Sequence, residues 1–151
     1  MDTILRIKRF DPDVDRPVSR YEEFNIDLDE SATVLDGLIK IREQVDGSLA
    51  LRCSCRSAIC GSCAMRVNGQ AMLACNTNIV DAVESGSGVV IIEPAGNMPI
   101  VKDLVVDFKP FWDKILAVDP WLKPDGPAPD GEYIAANEAM LHLAGVMDCI
   151  M

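Results

Sequence analysis

Leu51-Arg52-Cys53-Ser54-Cys55-Arg56-Ser57-Ala58-Ile59-Cys60-Gly61-Ser62-Cys63 carries four of the chain's six cysteines, and Cys75 follows after residues 64–74. Counted from Cys55, the run is Cys-x4-Cys-x2-Cys, with eleven residues before the fourth cysteine. Three thiols on one short loop and a fourth from elsewhere in the chain can surround a small inorganic group. The loop is composed to curl over one, because Ser57, Ala58, Gly61 and Ser62 are small. Small residues let backbone N–H groups turn toward the sulfurs, and such hydrogen bonds help to set a reduction potential.

The spacing is the plant-type [2Fe-2S] pattern of thiolate ligands. A structural zinc site is the main alternative, since four thiolates also make a tetrahedral zinc centre. Zinc sites usually pair two short Cys-x2-4-Cys knuckles, whereas this chain has a three-cysteine loop and one distant cysteine. Disulfides suit such a density in a secreted protein, but the N-terminal Met-Asp-Thr-Ile-Leu-Arg lacks the apolar core of a signal peptide. The candidate cluster ligands are therefore Cys55, Cys60, Cys63 and Cys75. Cys53 reads as a spare thiol, because Cys53-x6-Cys60 fits the pattern less well.

With 151 residues the chain can hold one full domain and the beginning of another. Hydrophobic residues make up 49% and charged residues 25%, the balance of a soluble globular protein. No apolar run is long enough to span a bilayer, so no transmembrane segment is expected, and a cytoplasmic, reducing location suits a cluster with thiolate ligands. The net charge of −10 has the wrong sign for nucleic acid, whose phosphates call for Lys and Arg. His142 is the single histidine and lies far in sequence from the cysteine loop, which leaves almost no proton chemistry near neutral pH. No self-contained catalytic constellation is visible. The chain reads as one that moves electrons rather than bonds.

Residues 3–10 alternate as a strand, with Leu5 and Ile7 on one face and Arg6 and Lys8 on the other. Residues 21–28 alternate with Phe24, Ile26 and Leu28 on one face, and the two strands are expected to pair as a hairpin. Thr33, with Asp36 three residues on, caps a helix bearing Val34, Leu35, Leu38, Ile39 and Val45, and Gly47 stops it. Asn68-Gly69 between the apolar runs 64–67 and 71–74 predicts a second hairpin, which folds Cys75 back toward Cys63. Residues 88–93 form a last strand, apolar enough to lie centrally. The order of elements is that of a β-grasp ferredoxin domain, an α+β fold. From residue 99 the apolar spacing turns helical, with Pro110 as a kink or break. A Pro- and Gly-rich stretch over 119–131 reads as a linker, and residues 135–147 as a further helix.

Cys-Arg-Ser-Ala-Ile-Cys-Gly-Ser-Cys-Ala-Met (55–65), Leu-Ala-Cys (73–75), Pro-Ile-Val-Lys-Asp-Leu-Val-Val-Asp (99–107) and Pro-Trp-Leu (120–122) occur together in one chain. In this combination the chain resembles the iron–sulfur subunit of succinate dehydrogenase or fumarate reductase. The resemblance implies a plant-type [2Fe-2S] ferredoxin domain over residues 1–108, its cluster held by Cys55, Cys60, Cys63 and Cys75. Some members carry Asp at the third ligand position; here it is Cys63. Residues 109–151 would be the incomplete start of an α-helical ferredoxin-like domain. Asp148-Cys149-Ile150-Met151 resembles the entry to that family's second cysteine run, of the type Cys-x2-Cys-x2-Cys-x3-Cys-Pro. Cys149 alone holds no cluster, so [4Fe-4S] and [3Fe-4S] centres belong to the reading only if the chain continues beyond Met151.

What the resemblance implies for function is electron transfer within a succinate:quinone oxidoreductase. The partners are a flavoprotein (FAD) subunit, membrane-anchor subunits and quinone, with peripheral attachment at the inner face of the cell membrane. The chain alone is not expected to be catalytic. The alternative is a free-standing [2Fe-2S] ferredoxin serving another soluble oxidoreductase. Phe111, Trp112 and Trp121 argue against it, because a bare ferredoxin needs no such apolar extension.

Overall fold

The computed structural model describes residues 1–121, 126–127, 130–132 and 134–147. The first hairpin joins β1 (Asp2–Arg9) to β2 (Arg20–Asp27), antiparallel, with Leu5 opposite Phe24. Strict alternation puts Thr3, Leu5, Ile7 and Arg9 on the buried face of β1, and Phe24 and Ile26 on that of β2. Helix α1 (Val34–Gln44) then crosses this face. Its start is fixed by the Thr33–Asp36 capping box: the Asp36 N–H donates to Thr33 Oγ1, and the Thr33 N–H donates to Asp36 Oδ2 at 2.8 Å. Leu35, Leu38 and Ile41 are buried against the sheet, worth about 1.5–3 kcal/mol each. Gly37 permits the close approach, since a Cβ there would stand 3.0 Å from Leu5 Cδ1. Val45 is not in the core; it is the exposed C-cap residue.

Strands β3 (Ala64–Val67) and β4 (Gln70–Leu73) form the second hairpin. Asn68 and Gly69 both have positive φ, 50° and 82°, as a two-residue primed turn requires. The last long strand, β5 (Val89–Pro94), lies between the hairpins, parallel to β1 and antiparallel to β3, giving the order β2-β1-β5-β3-β4. A mixed five-stranded sheet with one crossing helix is the β-grasp α+β architecture.

Three elements differ from the sequence expectation or escaped it. Residues 100–106 are not helical; β6 (Ile100–Lys102) and β7 (Val105–Val106) make a small two-stranded ribbon. Leu104 and Val106 are buried while Val101 is exposed, so the apolar spacing that mimics a helix here marks no common face. Helix α3 (Lys109–Val118) follows, and Pro110 sits in its first turn, where its missing N–H costs nothing, rather than at a kink. A short helix between Cys75 and β5, α2 (Ile79–Ser85), has no counterpart in the sequence expectation. Seven residues give too little periodicity to read, although Asn78 caps it by accepting from the Val80 N–H. The contacts of the chain divide it at Asp113/Lys114. In the second unit, helix α4 (Asn137–Met147) carries His142, which is exposed. The expected linker over 119–131 and the family-like 120–122 lie partly, and Cys149 wholly, outside the described residues.

A charged network ties the ribbon to the sheet. Arg9, its side chain 5% exposed, donates from Nε to Asp103 at 3.0 Å and from Nη1 to Glu22 and Asp46. Its Nη2 donates to Ser48 Oγ at 2.9 Å. The Asp103 carboxylate also accepts from the N–H groups of Phe10 (3.0 Å) and Ala50 (2.9 Å). Asp46 is held at about 2 by the Ser48 hydroxyl and then by Arg9. Three separated segments, 9–10, 46–50 and 103, thereby share one polar knot. Asp103→Ala strips a buried guanidinium and two N–H groups of a partner, and is expected to cost about 3–5 kcal/mol in urea unfolding followed by far-UV circular dichroism. A loss below about 1 kcal/mol would mean that Glu22 and Asp46 hold Arg9 unaided.

Candidate metal centre

The cysteine loop begins where that knot ends. Leu49 is buried, Leu104 N–H donates to the Ala50 carbonyl at 3.2 Å, and Arg52 Nη1 donates to the Val106 carbonyl at 3.1 Å. Arg52 also lies over the Phe108 ring, 5.5 Å from its centroid. The chain is thus pinned up to the residue before Cys53. From Ser54 to Ser62 it has no helix or strand. At the far end it is fixed again by β3, because Ala64 N–H donates to the Gly61 carbonyl and Ala74 N–H to the Cys63 carbonyl.

Between these anchors the backbone turns inward on sulfur. Arg56 (φ 57°), Ala58 (φ 58°) and Gly61 (φ 70°) are left-handed. Two of the three bear a Cβ, at about 1–2 kcal/mol each. Left-handed residues alternating with ordinary ones aim successive N–H groups to one side, the concave anion-binding arrangement found at many iron–sulfur sites. Here Cys55 Sγ accepts from the N–H groups of Ser57 (3.4 Å), Ile59 (3.4 Å) and Cys60 (3.3 Å). Cys60 Sγ accepts from Cys55 N–H at 3.5 Å, and Cys75 Sγ from Ala58 N–H at 3.3 Å. These donors, Ser57 N–H first, bring the Cys55 thiol down to about 6, and the Ser62 hydroxyl lowers that of Cys60. Burial pushes the Cys63 thiol up.

All four sequence-predicted cysteines are brought to one place, and they arrive as two pairs. The Cys55 and Cys60 thiols act on each other, as do those of Cys63 and Cys75. The first pair is exposed; Cys63 is buried and Cys75 half-buried. Among the described residues no group of three or more His, Cys, Asp or Glu side chains closes on a point that one metal ion could fill. A single zinc asks for four ligands within about 2.3 Å of one centre, whereas a diiron rhomb asks for two thiolates on each iron. Two thiol pairs with N–H donors around them fit the diiron group. Cys53 is half-buried and packs against the hydrophobic core.

Sequence reasoning missed the residues that hold the loop. Arg9 had a signal, since strand parity puts it on the same face as Leu5 and Ile7. Asp103 had none, because its role depends on a turn between two very short strands.

Fold and site together define a [2Fe-2S] domain of the ferredoxin type. Residues 4–113 match the family model of the 2Fe-2S iron-sulfur cluster binding domain, and the chain belongs to that family; its cofactor is a [2Fe-2S] cluster. It is similar to the fumarate reductase iron-sulfur subunit of Mycobacterium tuberculosis, 38% identical over 132 residues that cover 86% of this chain and 52% of the relative. It is similar also to the succinate dehydrogenase iron-sulfur subunit of Paracoccus denitrificans, 40% identical over 149 residues, 97% of this chain and 55% of the relative. Among solved structures, a chain of the Mycobacterium smegmatis Sdh1 complex in the apo form matches with a TM-score of 0.83 at 26% identity, over 99% of this chain and 59% of that one. The chain spans about half the length of the relatives it matches. No helix among the described residues is long and apolar enough to cross a membrane.

Ala58 is the residue whose N–H links the loop to the distant Cys75. Proline has no N–H and cannot reach φ near 58°, so Ala58→Pro is expected to yield colourless protein with little bound iron. A brown product with full iron content would remove this contact from the site.

Proposed function

We propose that the chain relays electrons as part of the iron–sulfur subunit of a succinate:quinone oxidoreductase, with Cys55, Cys60, Cys63 and Cys75 holding its [2Fe-2S] cluster. The observation that carries the reading is the convergence of these four thiols as two pairs ringed by backbone N–H groups. The bound cluster supplies reversible one-electron transfer. The chain's own part is to hold that charge. The N–H groups of Ser57, Ile59 and Cys60 face Cys55, where added negative charge is stabilised by fixed dipoles, while the Cys63 side is kept from water by the core.

The relatives' names support the complex. A flavoprotein (FAD) subunit would exchange electrons with the cluster, and further centres would connect it to quinone at membrane-anchor subunits. Such an assembly would place the chain peripherally at the inner face of the cell membrane. Residues 1–108 would form its ferredoxin domain. Residues 109–151 would begin a helical iron–sulfur domain, whose exposed Trp112, Leu116 and Trp121 are apolar enough to need covering.

Anaerobically purified protein is expected to contain about two irons and two sulfides per chain and no zinc, with a visible band and a reduced-state EPR signal. Cys60→Ala should abolish that signal and Cys53→Ala leave it intact; dependence on Cys53 in place of Cys55 would overturn the ligand set. With a succinate dehydrogenase flavoprotein subunit added, succinate should generate the same signal that dithionite does. A cluster that dithionite reduces and succinate with the flavoprotein does not would remove the oxidoreductase reading.

A further inference from the structure

We infer that the Ser62 side chain is a positioning residue for the electron, its hydroxyl donating a hydrogen bond to Cys60 Sγ and raising the reduction potential of the centre. The inference rests on the proposal that Cys60 is a cluster ligand. Ser62 Oγ lies 3.2 Å from Cys60 Sγ. A free thiol and a hydroxyl can exchange donor and acceptor roles, but a thiolate bound to iron carries no proton. In the loaded protein the hydroxyl is then the donor, and the bond points its positive end at the sulfur.

The neighbouring serine does something else. Ser57 Oγ lies 3.2 Å from the Cys55 carbonyl oxygen and steadies the loop's main chain. The four sulfurs also differ in what supports them. Cys55 Sγ has three N–H donors at 3.3–3.4 Å, all from the backbone. Cys60 Sγ has the Cys55 N–H at the longer distance of 3.5 Å and the Ser62 N–H, with the Ser62 hydroxyl beside them at 3.2 Å. The hydroxyl is therefore a side-chain handle on a sulfur, one that substitution can remove while the backbone donors stay.

The redox step is simple in its balance. One electron arrives from dithionite in the titration, or from the proposed flavoprotein partner, no bond is made or broken in the chain, and the hydroxyl proton stays on Ser62. The donated bond strengthens as negative charge builds on the sulfur, so it favours the reduced form more than the oxidised one.

The test is a redox titration followed by reduced-state EPR on the parent protein and on Ser62→Ala, Ser62→Thr and Ser62→Val, each checked for iron and sulfide. Ser62→Ala is expected to lower the equilibrium constant for reduction about tenfold, a downward shift of about 59 mV for a one-electron couple. Ser62→Thr keeps the hydroxyl and should stay near the parent. Should Ser62→Ala load poorly, the near-isosteric Thr and Val variants make the same comparison. An unchanged potential in loaded Ser62→Ala, or equal shifts for Thr and Val, overturns the inference and leaves the ligand set standing. The ligand set fails by a different result, a Cys60→Ala protein that keeps its cluster.

Discussion

A backbone that turns its N–H groups onto sulfur gives up the hydrogen bonds that would otherwise hold it in a helix or sheet. Residues 54–62 make that exchange. Their donors face Cys55, Cys60 and Cys75, two of their residues are left-handed despite a Cβ, and no ladder runs alongside. Such a segment keeps one shape only if its surroundings over-determine it. The remainder of the fold can be understood as the supply of that restraint at the loop's two ends.

At the outgoing end the restraint is β-structure. Cys63 leads directly into β3, β3 pairs with β5 in the centre of the sheet, and the Asn68-Gly69 turn returns the chain so that Ala74 donates to Cys63. The spatial closeness of Cys63 and Cys75 is thus a consequence of hairpin register. Shifting β4 by one residue would turn its side chains to the opposite face and carry Cys75 away from the other thiols. At the incoming end there is no strand. Residues 46–52 are irregular, and they are fastened by the Arg9–Asp103 knot, by Leu49 in the core, and by Arg52 on the Val106 carbonyl.

This division explains what could be read in advance. The two hairpins, α1 and β5 were legible because each is governed by local rules: period-two alternation, a capping box, an Asn-Gly turn, an apolar run. The four candidate ligands were legible because spacing on one loop is itself a geometric statement. The ribbon at 100–106 hides behind a helical spacing, since Val101, Leu104 and Val105 stand at i, i+3 and i+4, and only contact with Ala50 and Phe10 overrides so short a pattern. Helix α2 was invisible for a similar reason, being shorter than two full periods of the pattern that reveals a helix. The Ser62 hydroxyl could be listed as small, but its aim at Cys60 could not be known before the loop had a shape.

The choice of a charged knot at the incoming end follows from the kind of restraint needed there. Apolar side chains of equal volume could match a buried ion pair for stability, and often exceed it. They could not accept hydrogen bonds. Asp103 takes N–H donors from Phe10 and Ala50 while pairing with Arg9, so one carboxylate fixes the end of β1 and the approach to the cysteines in a single geometry. A hydrophobic contact sets no direction, whereas a carboxylate with three donors at 2.9–3.0 Å does. The loop it leads to carries N–H donors 3.3–3.5 Å from their sulfurs, where a shift of about an ångström would undo the arrangement. Directional bonds are placed where position matters, and the apolar core is left to supply the stability.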